Sequence, residues 1–357
     1  MKVTLFRDLP TERWPSMERY ADELAAALST LHYETHSYVL RRPLPNLAGR
    51  AGTLLNYAWR SFAYPLAARS QQSDVNHIID HSYAHLIDTL DERRTVVTCH
   101  DIAPLVLEQQ GRGLSRRLWD RSFRAMLRAA YIIADSAHTR AEILRCAPYP
   151  PDRISVVPLA VHPAFFEPAS PQAWSAARGL TGRAIILHVG SCQPRKNVET
   201  LLHALVLLNN ETTTLVQIGG QFSADQSNLI DRLQLRAQVH QIKRASEADL
   251  RSAYQAAAVL AFPSIYEGFG FPVLEALASG TPVVCANATS LPEITGEAAL
   301  LHEPRDAQQL AEQLRRVLTD RSLADDLRRR GRERARLFTW ERTARETLAV
   351  YQQVLSR

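Results

Sequence analysis

Two glutamates and two glycines within one stretch, AAVLAFPSIYEGFGFPVLEALASGTPVV (257–284), are the residues best equipped for chemistry in this chain. The pattern predicts a buried strand ending at Phe262, then a loop, PSIYEGFGFP, running into a helix that begins near Pro272. Proline suits the first turn of a helix, where its missing N–H would have no intrahelical partner. Glu267 lies on the loop and Glu275 in the first turns of the helix, with seven residues between them. Gly268 and Gly270 allow backbone to approach a ligand closely, and the free N–H groups of a helix start suit phosphate. One carboxylate before an anion site and one inside it could each accept hydrogen bonds from paired hydroxyls, on a sugar or on a ribose. The spacing alone fits equally a strand–loop–helix turn whose glutamates only cap and face solvent.

A second strand-end loop offers the opposite charge. In HVGSCQPRKNVETLLHAL (188–205) a strand gives way at Gly190 to a loop, and Arg195 and Lys196 stand just before the next helix. Two cations there would neutralise a diphosphate leaving group without a metal; the plainer alternative is a pair of surface charges. Lys196 draws notice because the chain has only three lysines, Lys2, Lys196 and Lys243, among 42 basic residues. A third site is TVVTCHDIAPL (95–105), where His100 and Asp101 end a buried strand, a position at which a lone histidine is more often structural.

The elements that must hold these loops alternate strand and helix almost throughout. VTLF, HSYVL, NHIID, TVVTC, YIIAD and ISVVPL read as strands in the first half. AIILHVG, TTTLVQIGG, VHQIK, AAVLAF and TPVVCA follow in the second. Apolar, β-branched strands separated by helices imply a parallel sheet covered on both faces, and ligands in such sheets bind beyond the strands' carboxyl ends. The stretch 160–181, rich in Pro, Ala and Ser, breaks the rhythm and reads as a connection. At 357 residues two domains are expected, over 1–165 and 166–338, with a final helix in 339–357 crossing back to the first. The fold class is α/β, two doubly wound Rossmann-like domains.

Bulk properties set limits. No apolar run reaches the roughly 18–20 residues that span a bilayer. MKVTLFRDLP carries no signal-peptide core, so a cytoplasmic location is expected. The four cysteines are scattered, with neither disulfide nor zinc spacing. There is no D-x-D motif and no His/Cys/Asp cluster with ligand spacing, so neither metal nor cofactor is expected. The net charge of +5 permits anionic partners without choosing among them, and no nucleic-acid-binding module is recognisable.

Y-E-G-F-G-F-P-V-L-E-A-L-A-S-G-T-P-V-V resembles the E-x7-E region of the family 4 retaining glycosyltransferases, enzymes of the GT-B fold. The resemblance covers nearly the whole chain, strongest over 184–340 and weakest over 41–75. It implies that Glu267 contacts the hydroxyls of the transferred sugar and Glu275 the nucleotide's ribose. Gly268, Phe269, Gly270, Phe271, Val273 and Leu274 then line the donor site. P-R-K-N resembles the diphosphate loop, so Gly190, Ser191, Arg195 and Lys196 join them, although many members carry arginine where Ser191 stands. Ile242 and Lys243 fall where relatives hold the nucleobase. The H-D pair implies that His100 positions sugar or acceptor across an inter-domain cleft, with Asp101 supporting nearby backbone. Ser16 and Met17 belong to a second cleft loop, where Pro15 replaces a glycine and removes an N–H donor. Glu293 is expected to be structural.

The resemblance further implies metal-independent, front-face transfer of a hexose with retention, from a nucleotide-diphosphate sugar, GDP-mannose first, to a glycan or lipid-linked acceptor. The absence of any lysine after Lys243 argues against a pyridoxal-phosphate-dependent phosphorylase. A catalytically inactive nucleotide-sugar-binding scaffold is the alternative from another class. Finally, 112–128 carries six arginines with Trp119, Phe123 and Leu127 at helical spacing. It reads either as a helix lying on an anionic membrane, aided by AWRSFAYPL (58–66), or as a core-facing stripe with a solvated basic face.

Overall fold

The computed structural model describes residues 1–10, 15–40, 49–107 and 114–356. They divide into two compact units: Met1–Ala160 with Thr339–Arg357, and Val161–Phe338.

In the first unit the strands β1 (Lys2–Phe6), β2 (Glu34–Tyr38), β3 (Val75–Ile78), β4 (Thr95–Cys99), β5 (Tyr131–Ala134) and β6 (Ile154–Val156) form one sheet, ordered β2-β1-β3-β4-β5-β6. Every pairing is parallel. The central strands β3, β4 and β5 are buried along their whole length. Polar side chains survive there only with partners, as His77 does between the Tyr351 hydroxyl and Thr98 Oγ1, each at 2.7 Å. The helix Pro15–Thr30 buries Tyr20, Leu24 and Leu28, four residues apart, on one face. Against it packs the last helix, Trp340–Leu355, whose start is capped by Thr339 Oγ1 accepting from the Arg342 N–H. The end of the chain therefore completes the unit with which the chain begins.

The second unit holds β7 (Ala184–Val189), β8 (Thr213–Ile218), β9 (Val239–Ile242), β10 (Val259–Phe262), β11 (Val283–Ala286) and β12 (Leu300–His302), ordered β12-β11-β10-β7-β8-β9 and again parallel. β7 and β10 are neighbours, but the chain leaves β7 towards β8 and leaves β10 towards β11. Their following loops diverge, opening the crevice that doubly wound sheets use for ligands.

Several expectations shift. The connection at 160–181 contains a 3-10 turn, Pro163–Phe166, and a helix, Pro171–Ala176. Phe165 is fully buried, its ring 6.0 Å from that of Tyr254, so the expected break after 165 lies instead between Ala160 and Val161. β12 was not anticipated, three residues being too few to show a period. β2 starts at Glu34 rather than His36 because an edge strand half open to solvent carries no apolar pattern. The 58–66 segment forms a π-helical turn, Trp59–Ala63, that continues into the helix Tyr64–Ala68. Tyr64 is buried there, while Phe62 and Leu66 are 62% and 69% exposed.

The arginine-rich helix runs from Leu114 to Met126 instead of reaching Ala130. Phe123 is buried, Trp119 lies 5.4 Å from the His81 ring and Leu127 packs on the core. Its apolar stripe thus faces the protein, while Arg117, Arg121, Arg124 and Arg128 face solvent and Arg116 does so in part. Arg121 and Arg128 pair with Asp88, and Arg128 also with Glu92. Arg112 lies outside the described residues.

Candidate active site

The loops beyond β7 and β10 meet on Glu267. Its carboxylate accepts from Lys196 Nζ at 2.5 Å, Arg195 Nη1 at 3.2 Å and Ser264 Oγ at 2.5 Å. Burial alone would raise its pKa; Lys196, then Arg195, outweigh it and hold the carboxyl below the usual glutamate range. Lys196 is itself buried, with its ammonium 5.0 Å from the centre of the Phe262 ring. Two loops carrying opposite charge are therefore locked by a compact, largely dehydrated ion cluster.

Local chemistry explains how each loop reaches this point. Pro194–Lys196 makes a single 3-10 turn, ended by Asn197 in the left-handed conformation at φ 54°. Asn197 Nδ2 donates to the carbonyls of Pro263 and Pro304, so one side chain braces three loops. On the other side Ser290 Oγ donates to the carbonyls of Glu267 and Phe269 at 3.0 and 2.7 Å, and the Glu267 N–H donates to Thr289 Oγ1. The helix Phe271–Ser279 starts from Gly270 with Pro272 in its first turn. Glu275, on that helix, is buried and accepts from the Tyr254 hydroxyl at 2.9 Å.

In the first unit His100 follows β4. Its Nδ1 lies 2.6 Å from Asp135 Oδ2 and its Nε2 2.8 Å from the Ile79 carbonyl. The Ile79 carbonyl only accepts, so Nε2 carries a proton; a second on Nδ1 gives the ring a positive charge, although burial also raises the Asp135 carboxyl above its ordinary value. Burial opposes that charge, but Asp135 prevails and lifts the pKa from 6.5 to about 9. The Tyr20 ring stands edge-on at 5.0 Å, and its hydroxyl meets Thr98 Oγ1, the atom that also meets His77. His100 is thus held by hydrogen bonds at both ring nitrogens, which leaves neither free to act as a base.

The folded-state pKa of His100 exceeds the unfolded value, so its stabilisation is complete below about pH 6.5 and vanishes as pH climbs through about 9. The melting temperature should accordingly fall across that interval and fall much less in Asp135→Asn. Equal slopes in the two proteins would refute the ion pair.

Residues 172–334 match the family model for glycosyl transferases group 1, and residues 17–165 that for Glycosyltransferase Family 4. Over 345 residues the chain is 30% identical to O-antigen chain mannosyltransferase B of Escherichia coli, spanning 94% of this chain and 86% of that one. The chain belongs to the group 1, family 4 glycosyltransferases. This glycosyltransferase is also 33% identical over 235 residues to the MMP alpha-(1->4)-mannosyltransferase of Mycolicibacterium hassiacum, covering 63% of this chain and 54% of that relative. Sucrose-phosphate synthase from Thermosynechococcus elongatus aligns with a TM-score of 0.79 over 100% of this chain and 99% of its own, at 22% identity. The enzyme has the GT-B fold.

Among the residues nominated from the sequence, the glycosyltransferase brings Gly190, Arg195, Lys196 and Glu267 together: the Lys196 side chain lies along Gly190, as its Cε would be 3.5 Å from a Cβ placed there. Ser191 follows directly. Phe269 and Phe271 meet edge-on, 5.6 Å apart. Val273 and Leu274 are fully buried, and their N–H groups already donate to the Gly270 carbonyl, so neither presents a free donor as expected of a helix start. Gly268 stays on the loop between Glu267 and Phe269. Ile242 ends the edge strand β9, its carbonyl accepting from the Gly219 N–H, and Lys243 beyond it is exposed. In the first unit Asp101 Oδ1 accepts from the Ala103 N–H, and Ser16 and Met17 form the first turn of the helix Pro15–Thr30. Thr11 to Trp14, the rest of that loop, lie outside the described residues. Glu293 pairs through its carbonyl with Arg334. Sequence reasoning passed over Ser264, Asn197, Ser290, Tyr254 and Asp135, whose roles depend on contacts between distant segments.

Gly270 is at φ 115°, and a Cβ there would stand 2.9 Å from Leu291 Cδ2. Gly270→Ala should destabilise by about 1–3 kcal/mol, lower the melting temperature and weaken nucleotide binding. An unchanged melting temperature would show that the loop relaxes freely.

Proposed function

We propose that the enzyme transfers mannose from GDP-mannose to a glycan or lipid-linked acceptor, with retention and without a metal. The observation that carries this reading is the cluster of Arg195, Lys196 and Glu267 at the β7/β10 crevice, in a chain whose relatives include two mannosyltransferases. Arg195 and Lys196 would take the diphosphate, exchanging one anionic partner for another, while Glu267 turns to the sugar hydroxyls and Glu275 to the ribose. Charge growing on the leaving diphosphate meets prearranged cations. The diphosphate then takes up the acceptor's proton on the face where the new bond forms.

Association with an anionic membrane belongs to the same proposal. It rests on the exposed Phe62 and Leu66 and on the exposed Arg117 and Arg124, rather than on Trp119, Phe123 and Leu127. The protein should sediment with phosphatidylglycerol vesicles, less so in Phe62→Ser/Leu66→Ser; equal sedimentation of both proteins would sink this part.

The deciding test is thermal stability against GDP-, UDP-, ADP- and dTDP-sugars, with and without EDTA. A ligand that binds only the folded state at one hundred times its Kd adds about 2.7 kcal/mol. A shift with GDP-mannose, indifferent to EDTA and absent in Glu275→Ala, is the expected result. No shift with any donor would favour the inactive scaffold, and a shift with another nucleotide would replace the donor.

A further inference from the structure

The Gly190–Gln193 loop is held by two buried glutamine side chains from a neighbouring strand and helix. Gln217 on β8 stands opposite His188 on β7 in register, fully buried. Its Nε2 donates to the carbonyls of Gly190 at 2.7 Å and Gly219 at 2.9 Å, which fixes its Oε1 as the partner of His188 Nδ1. Gln226, buried in the first turn of the helix Ala224–Arg232, donates from Nε2 to the Cys192 carbonyl at 3.0 Å and to Glu199 at 2.8 Å. Its Oε1 meanwhile closes the capping box with Ser223. Beneath the loop Gly220 is pressed so close that a Cβ there would fall 2.9 Å from Ser191 Cα.

In a trans peptide the carbonyl and the following N–H point in opposite directions, and the described chain has no cis bond. With the Gly190 and Cys192 carbonyls drawn inward, the N–H groups of Ser191 and Gln193 face away from the glutamines. Among the described residues neither N–H has a partner within the chain. The same loop carries Gly190 against the Lys196 side chain. Outward N–H groups beside a cation form a cradle for an anion.

We propose that Gln217 and Gln226 are positioning residues for diphosphate, turning the Ser191 and Gln193 N–H groups towards a phosphate that Lys196 also contacts. The inference rests on the donor-site reading above. It explains how the loop can bind phosphate with serine, not arginine, at position 191: backbone donors replace a side chain. His188, neutral with its pKa pushed down to about 4 by burial, keeps Gln217 in the required orientation.

The test compares binding of GDP with that of guanosine, and of UDP with uridine, by calorimetry in wild type, Gln217→Met and Gln226→Met. Both variants should lose roughly ten-fold or more of the affinity that the diphosphate adds over the nucleoside, with nucleoside binding unchanged. Steady-state assays should show a raised donor KM with the acceptor KM little altered. Gln226→Glu, which keeps the length and the Ser223 contact but not the donor to Cys192, should behave like Gln226→Met. A wild type that binds neither diphosphate would overturn the donor-site reading itself. A wild type that binds GDP or UDP, with variants that are folded and show the same diphosphate increment, would overturn this inference alone.

Discussion

Lys196→Met should remove about two to three orders of magnitude from kcat, the scale on which a prearranged charge donor acts at a developing anion. The same change leaves Glu267 buried with Arg195 and Ser264 but without its nearest cation. Breaking a buried pair from one side can cost about 3–5 kcal/mol, and the remaining arginine should hold the loss near the lower end. The double variant Lys196→Met/Glu267→Gln separates the two effects, because it removes the buried carboxylate together with its nearest cation and leaves only Arg195, the more exposed of the two cations. Its melting temperature should recover most of the way to wild type while transfer stays at the level of the single variant. Recovery of activity along with stability would show that the pair serves only to hold the loops. The pair also sets an acid limit. Glu267 titrates below its unfolded value, so its contribution is complete above the ordinary glutamate range and is lost as pH falls through the depressed folded value.

Ending the chain at Phe338 should unfold the first unit. The helix Trp340–Leu355 buries Trp340, Leu348, Val350, Tyr351 and Val354. At about 1.5–3 kcal/mol for each large apolar side chain the loss is on the order of 10 kcal/mol, comparable with the whole stability of a domain. His77 would also lose the Tyr351 hydroxyl, which sits within its core. Limited proteolysis should cut the truncated protein throughout 1–160 and spare 161–338. A first unit that stays resistant would mean that this helix is an accessory. Tyr351→Phe isolates the polar contact and should cost about 1–3 kcal/mol, the penalty for an unsatisfied buried partner.

What could be read from the residues was whatever is local. TVVTC (95–99) is uninterrupted and rich in β-branched residues, and it forms a strand over those same residues. A hydroxyl before an amphipathic run serves as a cap, and Ser136 does so: its Oγ accepts from the Thr139 N–H. Glu267 and Lys196 could be placed on loops beyond strands, but their contact spans 71 positions and requires β10 to lie beside β7. Strand order is not written in any single segment. Gln217 illustrates the limit: within TTTLVQIGG it is one polar residue in an apolar run, and only its register with His188 reveals what it holds. His100 was visible at a strand end, yet its charge state comes from Asp135, which ends the next strand over. Within the 58–66 segment apolar content alone does not distinguish Tyr64, which is buried, from Phe62 and Leu66, which face solvent.

The split first unit, Met1–Ala160 with Thr339–Arg357, has a consequence for biosynthesis. As the chain leaves the ribosome, its first 160 residues emerge long before the helix that seals them. Residues 161–338 must be made in between, which takes on the order of 10–40 s at 5–20 residues per second. The second unit is contiguous and can close its sheet as soon as it is out. The half of the enzyme made first is therefore the half that matures last, because its core stays unsealed until residues 340–355 have been made.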